Sequence, residues 1–171
     1  MHHGRQIDTF KSYSPYIFSV IGMSDTIFSE NEIEYLKSQP IARIATVSVS
    51  KEDTIVSLQP DVEPVGFEYD DGYLYIGGRS VPRPTKYENI LKNKKVAIVI
   101  DDSKTADPWD PRGVRIYGDA DIVIRQRGYA DQGGQSEHQS IRICPIKKWS
   151  WGIDEPVFKN GKFNIKRAQA S

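Results

Sequence analysis

Cysteine and histidine are nearly missing from this 171-residue chain. Cys144 is its single cysteine, so no internal disulfide can form, and a reducing compartment, the cytoplasm, is expected. Of three histidines, His2 and His3 stand at the extreme N-terminus, which leaves His138 alone in the body. A zinc site of Cys and His ligands, or a Ser-His-Asp triad, would have to be built on His138. An excess of one charge is missing too. The 23 Lys and Arg balance 23 Asp and Glu, which removes the simplest argument for a nucleic-acid partner. No apolar run approaches the roughly 18 residues that cross a bilayer. Neither GxxxxGKS/T nor GxGxxG occurs, so a phosphorylated ligand would need another geometry.

What is present is ordinary for a folded domain. Hydrophobic residues make up 38% and charged residues 27%, and the length suits one domain with its own core. Residues 1–26 read as an N-terminal extension with Met23 as the true start, residues 27–154 as the domain, and residues 155–171 as a polar, loose tail. Ser29 followed by Glu32 is a capping box and predicts a helix over 30–38 that turns Ile33 and Leu36 inward. β-Branched residues over 42–49 predict a strand and polar residues 50–60 a loop, with extension of either flanking strand through Thr54-Ile55-Val56 as the alternative. Strands follow at 62–69 and 73–76, joined by Asp70-Asp71-Gly72, a hairpin signal. Thr85 to Glu88 is a second capping box, opening a helix to about residue 93 with Tyr87, Ile90 and Leu91 inward.

The apolar run Val96–Ile100 predicts a strand buried on both faces, and the aspartate-rich stretch 101–111 a loop. Residues 114–124 and 141–144 alternate as strands, with Cys144 read as a small buried hydrophobe and 128–138 as a glycine-rich loop. Antiparallel strands with only two short helices point to a small β-barrel rather than a parallel α/β sheet.

Gly77-Gly78-Arg79 through Thr85-Lys86 is the most informative stretch. Glycines let a ligand approach the backbone, and Arg79, Arg83 and Lys86 gather positive charge at a helix N-terminus, where Thr85 adds a hydroxyl. Arg43 could add a further guanidinium. From residue types alone two readings stand: a phosphate site, or a plain turn with solvated basic residues. The aspartates Asp101, Asp102, Asp107 and Asp110 lack calcium-loop spacing and read as a solvated loop, so no metal is expected.

Ala42-Arg43-Ile44-Ala45-Thr46-Val47, Pro64-Val65-Gly66-Phe67, Ile76-Gly77-Gly78-Arg79, Lys86-Tyr87, Arg112-Gly113 through Tyr117-Gly118, and Ser150-Trp151-Gly152 occur in the order of a known family. Together they resemble the pyridoxamine 5'-phosphate oxidase-like, FMN-binding split barrels, in particular the branch of deazaflavin (coenzyme F-420)-dependent oxidoreductases. The resemblance covers about residues 27–154 and implies a six-stranded antiparallel split β-barrel, with the cofactor in a groove of a homodimer. By position, it assigns cofactor contacts to Arg43, Ile44, Ala45, Thr46 and Val47, to Gly77, Gly78 and Arg79, to Thr85 and the phosphate-binding Lys86, and to Gly113 and Trp151. The cofactor it implies is FMN or F-420, which share the ring and ribityl phosphate that these residues would grip. The long 50–60 segment and Pro84-Thr85 before Lys86 depart from the branch. Gly113 stands where the oxidases proper have glutamine, and their C-terminal substrate motif is missing, which argues against pyridoxine phosphate as substrate.

The function implied is hydride transfer between the reduced cofactor and a small organic molecule, with no catalytic residue assigned, no membrane and no nucleic acid. Two other readings stand beside it: a flavin carrier or sensor without turnover, and an oligonucleotide-binding barrel using Phe67, Tyr73 and Tyr75 as stacking platforms.

Overall fold

The computed structural model describes residues 26–52, 54–77, 85–126 and 137–170. Residues 1–25 of the N-terminal extension, Gly78 and Arg79 with the prolines after them, and residues 128–136 of the predicted 128–138 loop therefore lie outside the described residues. Helix α1 (Glu30–Ser38) starts where the capping box predicts, with Ser29 as N-cap and the reciprocal Glu32 bond formed. Strands β1 (Ala42–Glu52) and β2 (Ile55–Val65) follow, then β3 (Glu68–Asp70) and β4 (Tyr73–Gly77), helix α2 (Thr85–Lys92), β5 (Lys95–Ser103), β6 (Pro111–Arg125) and β7 (His138–Trp151). Short β8 (Phe158–Lys159) and β9 (Lys162–Phe163) pair with each other, and β10 (Lys166–Gln169) pairs with β7.

The main sheet is antiparallel, in the order β2-β1-β5-β6-β7-β4-β3 with β10 beside β7. Six strands of five residues or more carry it; β3 and β10 are short additions. It is a mainly β split barrel whose sheet does not close. The core is built from alternate residues: Ile44, Leu74, Ile76, Ile98, Ile100, Val114, Ile116, Ile141 and Ile143 face inward, and Phe28 and Leu36 bring α1 onto them. Asp71 and Gly72 both take positive φ (45° and 83°), the turn that suits the right-handed twist of a two-residue hairpin.

Several expectations need correction. Residues 50–60 are not a loop: β1 and β2 pair without a break from Ala42↔Val65 to Glu52↔Ile55, so polar composition concealed a long hairpin exposed to solvent. Strand β5 is buried on one face, through Val96, Ile98 and Ile100, and continues to Ser103, so Asp101 and Asp102 are strand residues. Leu91 faces solvent (61% exposed), because Lys86, Tyr87, Asn89 and Ile90 make the inner face of α2. Thr85 is the first helical residue rather than the cap. Cys144 is exposed: Ile141 and Ile143 claim the core side, leaving the even positions outside. A register shift between Tyr117 and Gly118 then reverses this alternation, so Lys148 and Ser150 face in. The end of the chain is not all loose, since β10 extends the sheet. Phe67 is buried and offers no platform.

Candidate functional site

Strand β1 divides the predicted run by parity. Ile44 and Thr46 point into the molecule, and Thr46 accepts a hydrogen bond from Asn89 Nδ2 of α2 at 2.9 Å. Arg43, Ala45 and Val47 alternate to the outer face. Lys86 lies on the inner side with α2, nearly buried, its Nζ 3.0 Å from Glu63 Oε2 on β2. Arg43 Nη1 lies 2.6 Å from Asp101 Oδ1 on the exposed face. Among the described residues, the two cations expected to grip a phosphate, Lys86 and Arg43, therefore each meet a carboxylate. The Arg43 pair is open to solvent and weak by its exposure. An ammonium has three donors, so Lys86 can hold Glu63 and a second anion together. Gly77 ends β4 opposite Ser140, and Thr85 is exposed at the start of α2.

The outer face gathers the remaining predicted residues into rows, because directly paired residues share a face. One row runs Asp101–Gly113–Trp151 across β5, β6 and β7. At Gly113 a Cβ would meet Trp151 Cζ2 at 2.6 Å and the Ile100 carbonyl oxygen at 2.8 Å. Only glycine leaves room for the indole to lie across β6 there. The next row runs Pro64–Arg43–Val99–Arg115–Trp149–Arg167, and the third Val62–Ala45–Ala97–Tyr117–Lys147–Gln169. Ala45, Ala97, Val99 and Gly113 thus form a flat floor of small residues, edged by Trp151 and by cations. That shape fits a planar ring system with an anionic substituent.

Sequence reasoning missed the cluster at the far end of these rows. Arg115 stacks on Trp149, its guanidinium carbon 3.8 Å from the ring centroid, and lies 5.6 Å from Tyr117. Arg167 sits 5.1 Å from Trp149, Lys147 sits 4.8 Å from Tyr117, and the two rings meet edge to face at 6.1 Å. The legible signal was Arg115-x-Tyr117 and Lys147-x-Trp149-x-Trp151, outward positions spaced by two.

Beside Gly113, Arg112 makes a two-pronged ion pair with Asp102 (2.7 and 2.9 Å) and lies over the Tyr35 ring of α1. The Arg112 hydrogen bonds hold the Asp102 carboxyl below the usual range. Burial, and then the Asp102 charge, push the Tyr35 phenol well up, so Tyr35 stays a protonated donor to Asp102 at 3.2 Å. This cluster fixes α1 against β5 and β6. The aspartates that looked like a solvated loop are largely ion-paired, with Arg43, Arg112 and Lys104.

This chain belongs to the pyridoxamine 5'-phosphate oxidase family, whose FMN-binding split barrels share its fold; residues 29–158 match the family's pattern. A 5a,11a-dehydrotetracycline/5a,11a-dehydrooxytetracycline reductase of Streptomyces rimosus is 36% identical over 129 residues, 74% of this chain and 84% of the reductase. Among solved structures, a conserved hypothetical protein of Mycobacterium tuberculosis superposes with a TM-score of 0.55 at 22% identity, over 75% of this chain and 87% of that one. General Stress Protein 26 of Bacillus anthracis gives 0.51 at 16% identity, over 81% and 98%. These likenesses establish the fold. No helix among the described residues is long and apolar enough to cross a membrane.

Proposed function

We propose that this protein is a flavin- or deazaflavin-dependent reductase that passes hydride from reduced FMN or F-420 to a small organic acceptor. The observation that carries the reading is the 36% identity, across three quarters of the chain, to a protein named as a reductase. The floor of Ala45, Ala97, Val99 and Gly113 beside Trp151 supports it. Bound, the cofactor supplies the hydride chemistry itself. The chain's part is to hold the ring on that floor with Arg43 on the same face for the phosphate, and Lys86 meets the phosphate where the cofactor's tail passes the open edge of the sheet to the inner side. That division of labour suits a sequence with so little histidine and cysteine.

A second copy of the chain completes this reading. The outward side of the β1–β2 hairpin exposes Val56, Leu58 and Val62, the last two 62% and 64% exposed. An apolar strip of this kind favours a covering surface, and a two-fold dimer supplies one.

The test is a fluorescence titration of the cofactor-stripped protein with FMN and, separately, with F-420, followed by assay of acceptors with the reduced form of whichever binds. Lys86→Ala should fold and bind that cofactor about tenfold more weakly, the loss of one charge-assisted hydrogen bond. Unchanged affinity removes Lys86 from the site, and binding of neither cofactor removes the redox reading. A monomer at all concentrations in sedimentation removes the dimer.

A further inference from the structure

We propose that Arg115, Lys147 and Arg167, with the Tyr117 and Trp149 rings between them, form a binding surface for a flat, conjugated organic anion such as an aromatic carboxylate or an enolate. That this anion is the hydride acceptor rests on the reductase reading above; that the surface binds such an anion does not. Other cations on this chain that stack on rings also meet acids: Arg125 lies over Tyr75 and pairs with Glu68 and Asp70, and Arg142 lies near Tyr73 and pairs with Asp121. At Arg115, Lys147 and Arg167 no carboxylate pairs with any of the three among the described residues.

A second observation points to a ligand. Arg115 Nε is buried yet donates no hydrogen bond. A buried guanidinium N–H without an acceptor is rare, so Arg115 commits no charge to a protein oxygen at that atom, and the half-buried group keeps it for an anion on its open side. The rings select shape: indole and phenol offer a stacking surface, and the guanidinium planes extend it. A second copy is the poorer occupant. The acids in the neighbouring rows are already committed, Asp101 to Arg43 and Asp119 to Lys95. A two-fold contact centred on the cluster would set its cations against their own copies. The cluster also continues directly from Gly113 and Trp151, in adjacent rows of one face, so a molecule here lies beside the proposed ring floor.

The experiment is calorimetric titration of the full chain with anthraquinone-2-carboxylate and, separately, with anthraquinone-2-carboxamide, which has nearly the same shape and no charge. The carboxylate should bind about tenfold more tightly than the amide. Arg115→Gln should lose most of that preference, and so should Lys147→Gln, an exposed change that leaves the fold intact. Equal binding of the two probes, binding of neither, or variants that behave as the parent overturns the proposal. So does a Lys147→Gln protein that changes oligomeric state in sedimentation, because the face then belongs to a second copy. FMN and F-420 titrations on the same samples separate the two readings. Carboxylate binding without cofactor binding leaves the anion surface standing and removes the reductase, and the reverse result removes the anion surface alone.

Discussion

Lys148 and Lys86 each meet a carboxylate on the inner side of the sheet, whereas Arg115, Lys147 and Arg167 on its outer face meet aromatic rings. The Lys148 pair is buried and the Lys86 pair partly so, and both join elements distant in sequence. Lys148 bonds Glu32, the capping-box acid of α1, which also accepts from Ser150 Oγ and from the Ser29 amide. Lys86 bonds Glu63 and helps seat α2 on β2. A cation taken out of water needs a matching charge, so these pairs hold the fold together. A cation laid on a ring at the edge of solvent keeps most of its hydration and its net charge. It remains available to an incoming anion. The same residue types are therefore committed where they tie elements together, as at Lys148, and receptive where they rest on rings, as at Arg115.

That contrast breaks most visibly at the fully buried pair. Glu32→Ala strands the Lys148 ammonium and should destabilise the protein by about 3–5 kcal/mol in urea unfolding. Replacing both partners, Glu32→Leu with Lys148→Met, should recover most of the loss. If it does not, the network holds the fold by more than charge compensation.

An intermediate case lies at Asp154, which accepts from Ser29 Oγ (2.9 Å), Asn31 (3.1 Å) and Lys166 (2.7 Å) and so ties the start of α1 to β10. Desolvation raises its pKa, but the hydrogen bonds from Lys166, Ser29 and Asn31 outweigh it and hold the carboxyl below its ordinary value. A lowered folded-state pKa gives stability that is full above the unfolded value, about 3.9. It is lost as pH falls through the folded value. Asp154→Asn should therefore cost about 1–2 kcal/mol at pH 7, and the gap between the two proteins should shrink below about pH 4. A gap that does not change with pH would assign the effect to geometry rather than charge.

The smallest effect is expected on the outer face. Arg115→Gln should change unfolding stability by no more than about 1 kcal/mol, the scale of a half-exposed cation–ring contact. A loss as large as that of Glu32→Ala would make Arg115 a structural residue and erase the contrast.

Much of this architecture was legible in the residues because local chemistry and tertiary demand agreed. Ser29 and Glu32 fix the start of α1, and Asp71-Gly72 fixes a turn. Gly113, Trp151 and Arg43 were reached through an ordered set of motifs and stand on one face. What could not be read depended on partners distant in sequence. Residues 50–60 mix polar residues with the exposed Ile55, Val56 and Leu58 and bury neither face against the core, and composition cannot tell that from a loop. The bulge opposite Tyr117 reverses the parity of β7, so no single alternation runs from Ile141 to Trp151. That Lys86 also meets a carboxylate could not be read, because Glu63, far from it in sequence, gives no local sign of pairing with it.

Strand β10 has a consequence for synthesis. Arg167 enters the outer row only when this four-residue strand, made after β7, docks on it. The hydrophobic core lies N-terminal to it and contains none of its residues. A chain clipped by a protease before Lys166, or burdened there by a bulky C-terminal fusion, would keep its barrel while losing one wall of the basic row. Such a protein would still fold, less stable by the lost Lys166–Asp154 pair, and a ligand of the basic row would tell it from the intact one.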